Sequence, residues 1–221
     1  MPTPSLPLSV RGGRAEAIQA DVSAPAQVAA LFDQAATLFG GVDVLVNNAG
    51  VMQPGLMPLS ETDDALFEKI VGVNLKGTFN TLRVAAKKLR QGGRIVNFSS
   101  SVRALALPGY SVYAATKSAV EALTLIFAKE LRGRNITVNA VAPGPTATDL
   151  FLTGKTQEQI DHLAKMPPME RLGTPEISPR LCRSSSAPTE VGSTARRYAP
   201  MAASPESTKH LLMERNLPDS K

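Results

Sequence analysis

The sequence has few of the residues that form disulfides, zinc sites or membrane spans. Its 221 residues include a single cysteine, Cys182, and two histidines, which excludes an internal disulfide and disfavours a structural zinc site. No apolar run approaches the roughly 18 residues that a membrane helix needs. The first residues lack the basic and apolar regions of a signal peptide. These absences favour a soluble, cytoplasmic protein with no membrane partner and no bound metal.

Most of the excess positive charge lies in the C-terminal tail. The formal net charge is +5, and residues 178–221 carry +3 of it, from seven Lys or Arg and four Asp or Glu. This tail contains one tyrosine, Tyr198, and no series of aromatic side chains on which nucleobases could stack. We therefore interpret the charge as a solvated surplus and expect no nucleic-acid partner.

Between its two ends the chain alternates between strand and helix patterns. Strand patterns cover residues 14–22, 42–49, 94–99 and 136–142, and helical patterns cover 25–39, most of 61–91, and 111–132. Ser23 is the expected N-cap of the first helix, and Gly40 with Gly41 is its expected end. Such alternation is typical of a parallel α/β sheet.

The two ends show no regular hydrophobic period. Residues 1–9 contain three prolines, and residues 178–221 contain eight serines and five prolines. This composition predicts an irregular N-terminus over 1–10 and an irregular, disordered tail over 178–221. Residues 11–177 are then the folded domain.

Tyr113 and Lys117 lie four residues apart at the start of the long predicted helix, so they share one face. A phenol with a pKa near 10 is a poor acid or base at neutral pH, and a neighbouring ammonium group lowers that pKa because it stabilises the phenolate. The pair therefore suits proton transfer to or from a hydroxyl or carbonyl group. Taken alone, this spacing is also common among ordinary surface pairs.

Polar, turn-forming residues follow three consecutive predicted strands. Asn47 to Gly50 end the first of these strands, Ser99 to Ser101 end the second, and Pro143 to Thr148 end the third. Ligands of open parallel sheets bind beyond the carboxyl ends of the strands. Ordinary turns and caps would explain any one of these segments, but they explain the three together poorly.

In this order the motifs resemble the short-chain dehydrogenase/reductase family and are similar to its 3-oxoacyl-carrier-protein reductases. The resemblance runs from about Gly12 to Glu176 and rests on ADVS, NNAG, VGVNLKGTF, the serine, YAATK and PGPTAT. It implies an α/β fold with a Rossmann-like, three-layer, doubly wound parallel sheet. It also implies NADP or NAD as cofactor, a small carbonyl or alcohol substrate, and a homodimer or homotetramer.

The resemblance also implies a role for each matching residue. Tyr113 would be the acid or base, and Lys117 would lower its pKa and bind the nicotinamide ribose. Ser100 would hold the substrate oxygen, and Asn74 would hold the water of a proton relay. Of the implied cofactor-binding residues, Asp21 and Val22 would touch the adenine, and Asn48, Ala49 and Gly50 would line the adenosine ribose side. Pro143, Gly144, Thr146 and Thr148 would contact the nicotinamide and pyrophosphate, beside Tyr113 and Lys117.

The chain departs from the family at both ends. It has no T-G-x-x-x-G-x-G turn to place a pyrophosphate on a helix N-terminus, and the family's first two strands and last strand are missing, so the fold is truncated at both ends. We therefore predict weak dinucleotide binding. Codons can be chosen for both ends that, read in another frame, encode the missing family segments. We therefore hypothesise that both ends are frame-shifted. The alternative function is a catalytically impaired, truncated or frame-shifted relative that acts by association.

Overall fold

A mostly parallel β-sheet forms the centre of the chain. The structure, a computed structural model, describes residues 15–175 and the backbone of residues 197–198 and 212–214. The described strands are β1 (Val42–Asn47), β2 (Leu89–Phe98), β3 (Thr137–Val141), β4 (Arg197–Tyr198) and β5 (Leu212–Glu214). They lie in the order β4-β3-β2-β1-β5, and all neighbours are parallel except β1 and β5, which are antiparallel. The α/β, Rossmann-like class, partial at its ends, is confirmed.

One helix precedes β1, and the others follow the parallel strands β1, β2 and β3 in the chain. They are α1 (Pro25–Phe39), α2 (Asp64–Val71), α3 (Thr78–Lys88), α4 (Val102–Leu105), α5 (Ser111–Glu130), α6 (Asp149–Leu152) and α7 (Gln157–Lys165). A short 3₁₀ helix covers Leu59–Glu61, and a π-helix, Gly72–Gly77, joins α2 to α3. Within the described residues, no helix is long and apolar enough to cross a membrane.

The main hydrophobic core lies between the sheet and helices α1, α3 and α5. Its sheet side includes Leu45, Ile95 and Val138, which are adjacent across β1, β2 and β3 and fully buried. Side chains alternate between the two faces of a strand, so the next residues of these strands point the other way. There Val96 packs with Phe98 and other apolar residues in a smaller cluster. The two clusters fix the register of the central strands.

Helix α1 begins one residue later than a Ser23 cap would require. The N-cap is Ala24, which makes no side-chain capping bond. The expected cap is wrong because Asp21 accepts hydrogen bonds from both the backbone N–H and the hydroxyl of Ser23, at 2.9 Å and 2.8 Å. The predicted helix end is correct: Gly40 is the C-cap at φ 79°, a left-handed conformation that glycine adopts without strain.

The predicted strand over residues 14–22 does not form in the described part of the segment. Residues 15–21 have no regular structure, and residues 15–17 and 19 are exposed. A strand requires a hydrogen-bonded neighbour. The prediction is wrong because β1 pairs with β2 on one side and with β5 on the other, so residues 15–21 have no described strand to pair with.

Two short segments of the tail that was expected to be irregular are strands. Arg197–Tyr198 pairs with Ala140 and Val141 of β3, and Leu212–Glu214 pairs with Val44 to Val46 of β1. The predicted N-terminus, 1–10, and the remainder of the tail lie outside the described residues. The division into an irregular N-terminus, a domain over 11–177 and a tail therefore stays a proposal.

Candidate active site

The carboxyl ends of β1, β2 and β3 meet at one edge of the sheet. Backbone hydrogen bonds continue the pairing beyond the strands: Ser99 N–H donates to Val141 O at 2.7 Å, and Ser101 N–H donates to Pro143 O at 2.9 Å. The three predicted polar segments therefore lie side by side around an open cleft. Nine of the predicted site residues line this cleft: Asn48, Gly50, Ser100, Tyr113, Lys117, Pro143, Gly144, Thr146 and Thr148.

Helix α5 carries Tyr113 and Lys117 into the cleft. Both side chains are buried, which is unusual for Lys117 because lysine is normally exposed. The Lys117 ammonium donates a hydrogen bond to Phe98 O, the last carbonyl of β2, at 2.9 Å, and lies 5.6 Å from the centre of the Tyr113 ring. This bond attaches α5 to the end of β2, two residues before Ser100.

The side chains of Ser100 and Tyr113 both line the cleft, and the Ser100 hydroxyl favours a lower pKa of the Tyr113 phenol. Ser100 Oγ also accepts a bond from Val102 N–H, the first residue of α4, at 3.3 Å. The two hydroxyl groups, thirteen positions apart in sequence, therefore form one polar pair in the wall of the cleft. Such a pair can hold one carbonyl or alcohol oxygen and exchange a proton with it.

Burial controls the titration of both catalytic candidates. Burial raises the pKa of Tyr113 to about 12, against a smaller lowering by the Ser100 hydrogen bond and a smaller rise from Tyr110. Burial likewise lowers the pKa of Lys117 to about 8. Loss of solvent disfavours the charged form of each group, so burial dominates both pKa values. The expectation that Lys117 lowers the pKa of Tyr113 stays a prediction.

Asn74 lies in the π-helix and is almost fully buried. Its side-chain oxygen accepts from Val51 N–H at 2.8 Å, and its amide donates to Val51 O at 2.8 Å and to Thr116 Oγ at 3.2 Å. The side chain thus fixes the segment after Gly50 against α5. The relay water that the resemblance assigns to Asn74 stays a prediction.

The third polar segment is ordered by its own backbone. Thr146 Oγ donates to Gly144 O at 3.1 Å, and Thr148 caps α6 by accepting a bond from Phe151 N–H at 3.3 Å. Both threonines are buried, and Thr146 also forms a bridge with Gly173. The segment is therefore held in place beside Ser100 and Tyr113.

Three predicted cofactor-binding residues lie away from the lining of the cleft. Asp21 bonds to Ser23, and Val22 is buried in the main core. Ala49 packs against the same core. The structure therefore gathers the residues assigned to the nicotinamide side and does not place Asp21 and Val22 with them.

One buried charged residue near the site was missed in the sequence. Glu121 is four residues after Lys117 on α5, and its Oε1 accepts from Ser99 Oγ at 2.8 Å and from Arg103 Nε at 3.1 Å. This network joins α4, which follows Ser100, to α5, which carries Tyr113. The i,i+4 spacing from Lys117 is the signal that could have identified it. No cluster of metal-binding side chains occurs within the described residues.

Comparisons with known proteins agree with this geometry. A family model described as enoyl-(acyl carrier protein) reductase matches residues 6–182. A short-chain type dehydrogenase/reductase of Picea abies is 48% identical over 172 residues, 77% of this chain and 64% of the relative. An Arabidopsis thaliana protein named as an NADPH-dependent aldehyde reductase-like, chloroplastic protein is 43% identical over 166 residues, 74% of this chain and 62% of the relative.

Solved structures show the same fold. A dehydrogenase/reductase of Sinorhizobium meliloti 1021 has a TM-score of 0.75 and 30% identity, over 87% of this chain and 74% of that chain. A Burkholderia cenocepacia protein described as a dehydrogenase with bound NADP has a TM-score of 0.75 and 28% identity, over 79% of this chain and 68% of that chain. The chain spans less than two thirds of the curated relatives cited above. Together with the ordered strand-end motifs, these matches show that the chain belongs to the short-chain dehydrogenase/reductase family.

Proposed function

We propose that this chain is an NAD(P)-dependent oxidoreductase that interconverts a carbonyl group and an alcohol. The observation that carries this proposal is the cleft at the carboxyl edge of the sheet, where the half-buried Ser100 hydroxyl and the buried Tyr113 phenol lie beside the buried Lys117 ammonium. Such an arrangement supplies a proton donor, a hydrogen bond to the reacting oxygen and a cation in one place.

The residues of the cleft fit the nicotinamide half of a dinucleotide. The Lys117 ammonium has three N–H donors, and Phe98 O is its hydrogen-bond partner within residues 15–175. The other donors suit ribose hydroxyls. A Cβ on Gly50 would lie 3.5 Å, an ordinary van der Waals distance, from both Asn74 Oδ1 and Lys117 Nζ, so Gly50 lies directly beside these two polar groups. Pro143, Gly144, Thr146 and Thr148 would contact the nicotinamide and the phosphate next to it.

The bound cofactor would supply or accept the hydride, and the chain would handle the proton. Because the pKa of Tyr113 is raised to about 12, its phenol is protonated at neutral pH and is able to donate to a carbonyl oxygen. The Ser100 hydroxyl would bond the same oxygen and orient it toward the phenol. Lys117, fixed by Phe98 O, would stabilise the phenolate that remains after the proton has left.

The names of relatives support reduction by NADPH. One relative is named as NADPH-dependent and an aldehyde reductase-like protein, and one structural neighbour holds NADP. These names do not favour the alternative, an impaired relative that acts by association. The similarity to 3-oxoacyl reductases and assembly as a homodimer or homotetramer remain finer proposals. A cytoplasmic location is also a proposal, beside a relative that is named as chloroplastic.

Turnover of the full chain tests this function. The purified protein would be mixed with saturating NADPH and a series of short aldehydes, and consumption of the reduced nicotinamide would be followed by absorbance. We expect turnover that is lost in Ser100→Ala and kept in Ser118→Ala. Ser118 is a control serine on α5, the helix of Tyr113, and its hydroxyl bonds only to Ala114 O among the described residues. Equal rates in the two variants, or no turnover by the parent, would contradict the proposal.

A further inference from the structure

The buried carboxylate of Glu121 contacts both ends of the short segment 99–103. Its Oε1 accepts a hydrogen bond from Ser99 Oγ at 2.8 Å and another from Arg103 Nε at 3.1 Å. Ser99 directly precedes Ser100 in the chain, and Arg103 follows it by three residues. One oxygen atom of α5 is therefore bonded to the chain before and after the Ser100 hydroxyl.

Backbone bonds already fix this segment against the sheet. The N–H groups of Ser99 and Ser101 donate to carbonyls at and just after the end of β3, at 2.7 Å and 2.9 Å. These bonds place Ser100 along the strand direction, but they do not join it to α5, the helix that carries Tyr113. The Glu121 bonds make that connection, because they cross from α5 to the segment.

A second link from α5, made by Lys117, does not replace the link made by Glu121. The Lys117 ammonium donates to Phe98 O at 2.9 Å, before the segment begins. Lys117 O lies 3.2 Å from Ser99 Oγ, but that hydroxyl has one proton and is closer to Glu121 Oε1, at 2.8 Å. Neither of these Lys117 bonds reaches α4, where Arg103 supplies the second anchor.

The chemistry of this network suits orientation better than stability. The Glu121 side chain is 4% exposed and that of Arg103 is 30% exposed, so the arginine reaches inward to a carboxylate that has lost its water. A buried ion pair often stabilises a fold no better than apolar side chains of the same volume. Charge-assisted hydrogen bonds are short and directional, so this pair gives the segment a fixed position.

We propose that Glu121 is a positioning residue: its bonds to Ser99 and Arg103 hold the Ser100 hydroxyl where it and the Tyr113 phenol reach one substrate oxygen. This role rests on the proposed function for its chemistry. Glu121 does not line the cleft, so it acts through Ser100 and not on the substrate. The placement of the two hydroxyl groups exists without cofactor and can be measured without turnover.

Two variants on α5 separate this role from a general loss of stability. Glu121→Met removes the carboxylate and keeps the length and the helix preference of the side chain. Thr124→Val is the matched control. Thr124 is 1% exposed and also accepts a side-chain bond from the sheet, from Asn97 Nδ2 of β2 at 2.8 Å. Asn97 lies before the segment 99–103, so this bond does not hold Ser100.

Steady-state kinetics of aldehyde reduction gives one measurement. We expect Glu121→Met to lower kcat by about 10–100-fold, because a displacement on the order of 1 Å can cost about 10²-fold in rate. Both kcat and kcat/KM should fall together, as expected for lost alignment in the transition state. Glu121→Gln, which restores an acceptor oxygen, should recover most of the rate. Thr124→Val should keep the parent kcat, although its midpoint of thermal unfolding should be the lowest of the three.

Carbon NMR gives the second measurement, on the full chain without cofactor. Tyrosine would be labelled with ¹³C at the carbon that bears the hydroxyl. The chain has three tyrosines, and Tyr113→Phe identifies the resonance of Tyr113. The Ser100 hydroxyl lowers the pKa of the Tyr113 phenol, so Ser100→Ala should move this resonance. Glu121→Met should move it in the same direction, Glu121→Gln should move it less, and Thr124→Val should leave it in place.

The NMR result decides the role of Glu121 whatever the rate. A Tyr113 resonance that does not move in Glu121→Met, or that does not respond to Ser100→Ala, would overturn the positioning role and leave turnover by the parent unaffected. A parent without turnover whose Tyr113 resonance moves in Glu121→Met would contradict only the proposed function.

Equal losses of kcat in Glu121→Met and Thr124→Val would also overturn the role, because they would reflect the stability of α5. If circular dichroism shows that Glu121→Met is unfolded, Ser99→Ala and Arg103→Met take its place. Each of these removes one of the two anchors and should move the Tyr113 resonance in the same direction.

Discussion

The carboxyl edge of the central strands folds as its sequence pattern predicts, whereas the segment before α1 does not. At the edge, three strands have neighbours, and backbone bonds from Ser99 and Ser101 extend the pairing to the site. Residues 15–21 also carry a strand pattern, but they have no regular structure. The difference teaches that an apolar, β-prone segment becomes a strand only where a second strand satisfies its backbone groups.

The same contrast holds for the two halves of the implied dinucleotide site. The nicotinamide side is built by side chains from α5, the π-helix and the three strand ends, held by buried or partly buried hydrogen bonds. On the adenine side, Val22 is anchored by the core, and Asp21 bonds to Ser23 at the start of α1. The following predictions test whether function and stability are concentrated on the first side.

The largest effect is expected at the reacting oxygen. Tyr113→Phe removes the proton donor while keeping the ring that packs with Val102 and Tyr110. We expect kcat/KM for aldehyde reduction to fall by about 10²–10⁴-fold, the usual contribution of general acid catalysis. Thermal unfolding should change little. A variant that keeps more than a tenth of the parent kcat/KM would show that the proton comes from another group.

Lys117 should support activity but lower the free energy of unfolding. Burial lowers its pKa from 10.5 to about 8, so the charged form costs about 3 kcal/mol at neutral pH, by the conversion of ~1.4 kcal/mol per pKa unit. Its lost hydrogen bond to Phe98 O offsets about 1 kcal/mol. Lys117→Met should therefore raise the free energy of unfolding by about 2 kcal/mol while removing activity.

The pH dependence of the free energy of unfolding tests the destabilising effect of Lys117. Below pH 8 Lys117 is charged in both states, so the folded protein bears the full cost of burial. Between about pH 8 and 10.5 the folded state has released a proton that the unfolded state still binds, so stability rises with pH. Denaturant unfolding at several pH values should show the parent approaching Lys117→Met over this window. A constant gap would mean that burial does not control the pKa of Lys117.

The two glycines at the ends of the π-helix test how the segment before α1 is attached. A Cβ on Gly77 would lie 2.6 Å from Val22 Cγ2, whereas a Cβ on Gly72 has no neighbour within 4 Å. Because valine is stiff at χ1, Gly77→Ala should lower the free energy of unfolding by about 1–3 kcal/mol. Gly72→Ala, the matched control, should raise it by about 0.5–1 kcal/mol. Equal effects of the two variants in thermal unfolding would show that Val22 does not pack there.

Particular residues show how far the sequence predicted this molecule. The strand patterns and the ordered motifs placed Ser100, Tyr113 and Lys117 correctly at one edge, because strand ends of a parallel sheet converge whatever the details of packing. The rise in the Tyr113 pKa could not be predicted from the sequence, because burial is a property of the whole fold. The Ser23 cap failed for a local reason, since Asp21 competes for its hydroxyl.

The smallest expected difference compares two cofactors on the parent chain. Reduced nicotinamide mononucleotide and NADPH share the half that fits Lys117, Gly144 and Thr148, and only NADPH has the adenosine half. The chain carries no glycine-rich turn that would hold a pyrophosphate at a helix N-terminus, and Asp21 lies outside the cleft lining. The adenosine half should therefore add little free energy of binding.

We expect dissociation constants for the two compounds that agree within about tenfold, or ~1.4 kcal/mol, both weaker than micromolar. Equilibrium dialysis measures both without turnover, and Lys117→Met should weaken both equally because it acts on their shared half. A sub-micromolar dissociation constant for NADPH, with the mononucleotide far weaker, would mean that residues outside the described part bind the adenosine half. The difference between the nicotinamide and adenine sides would then hold for the described residues but not for cofactor binding by the whole chain.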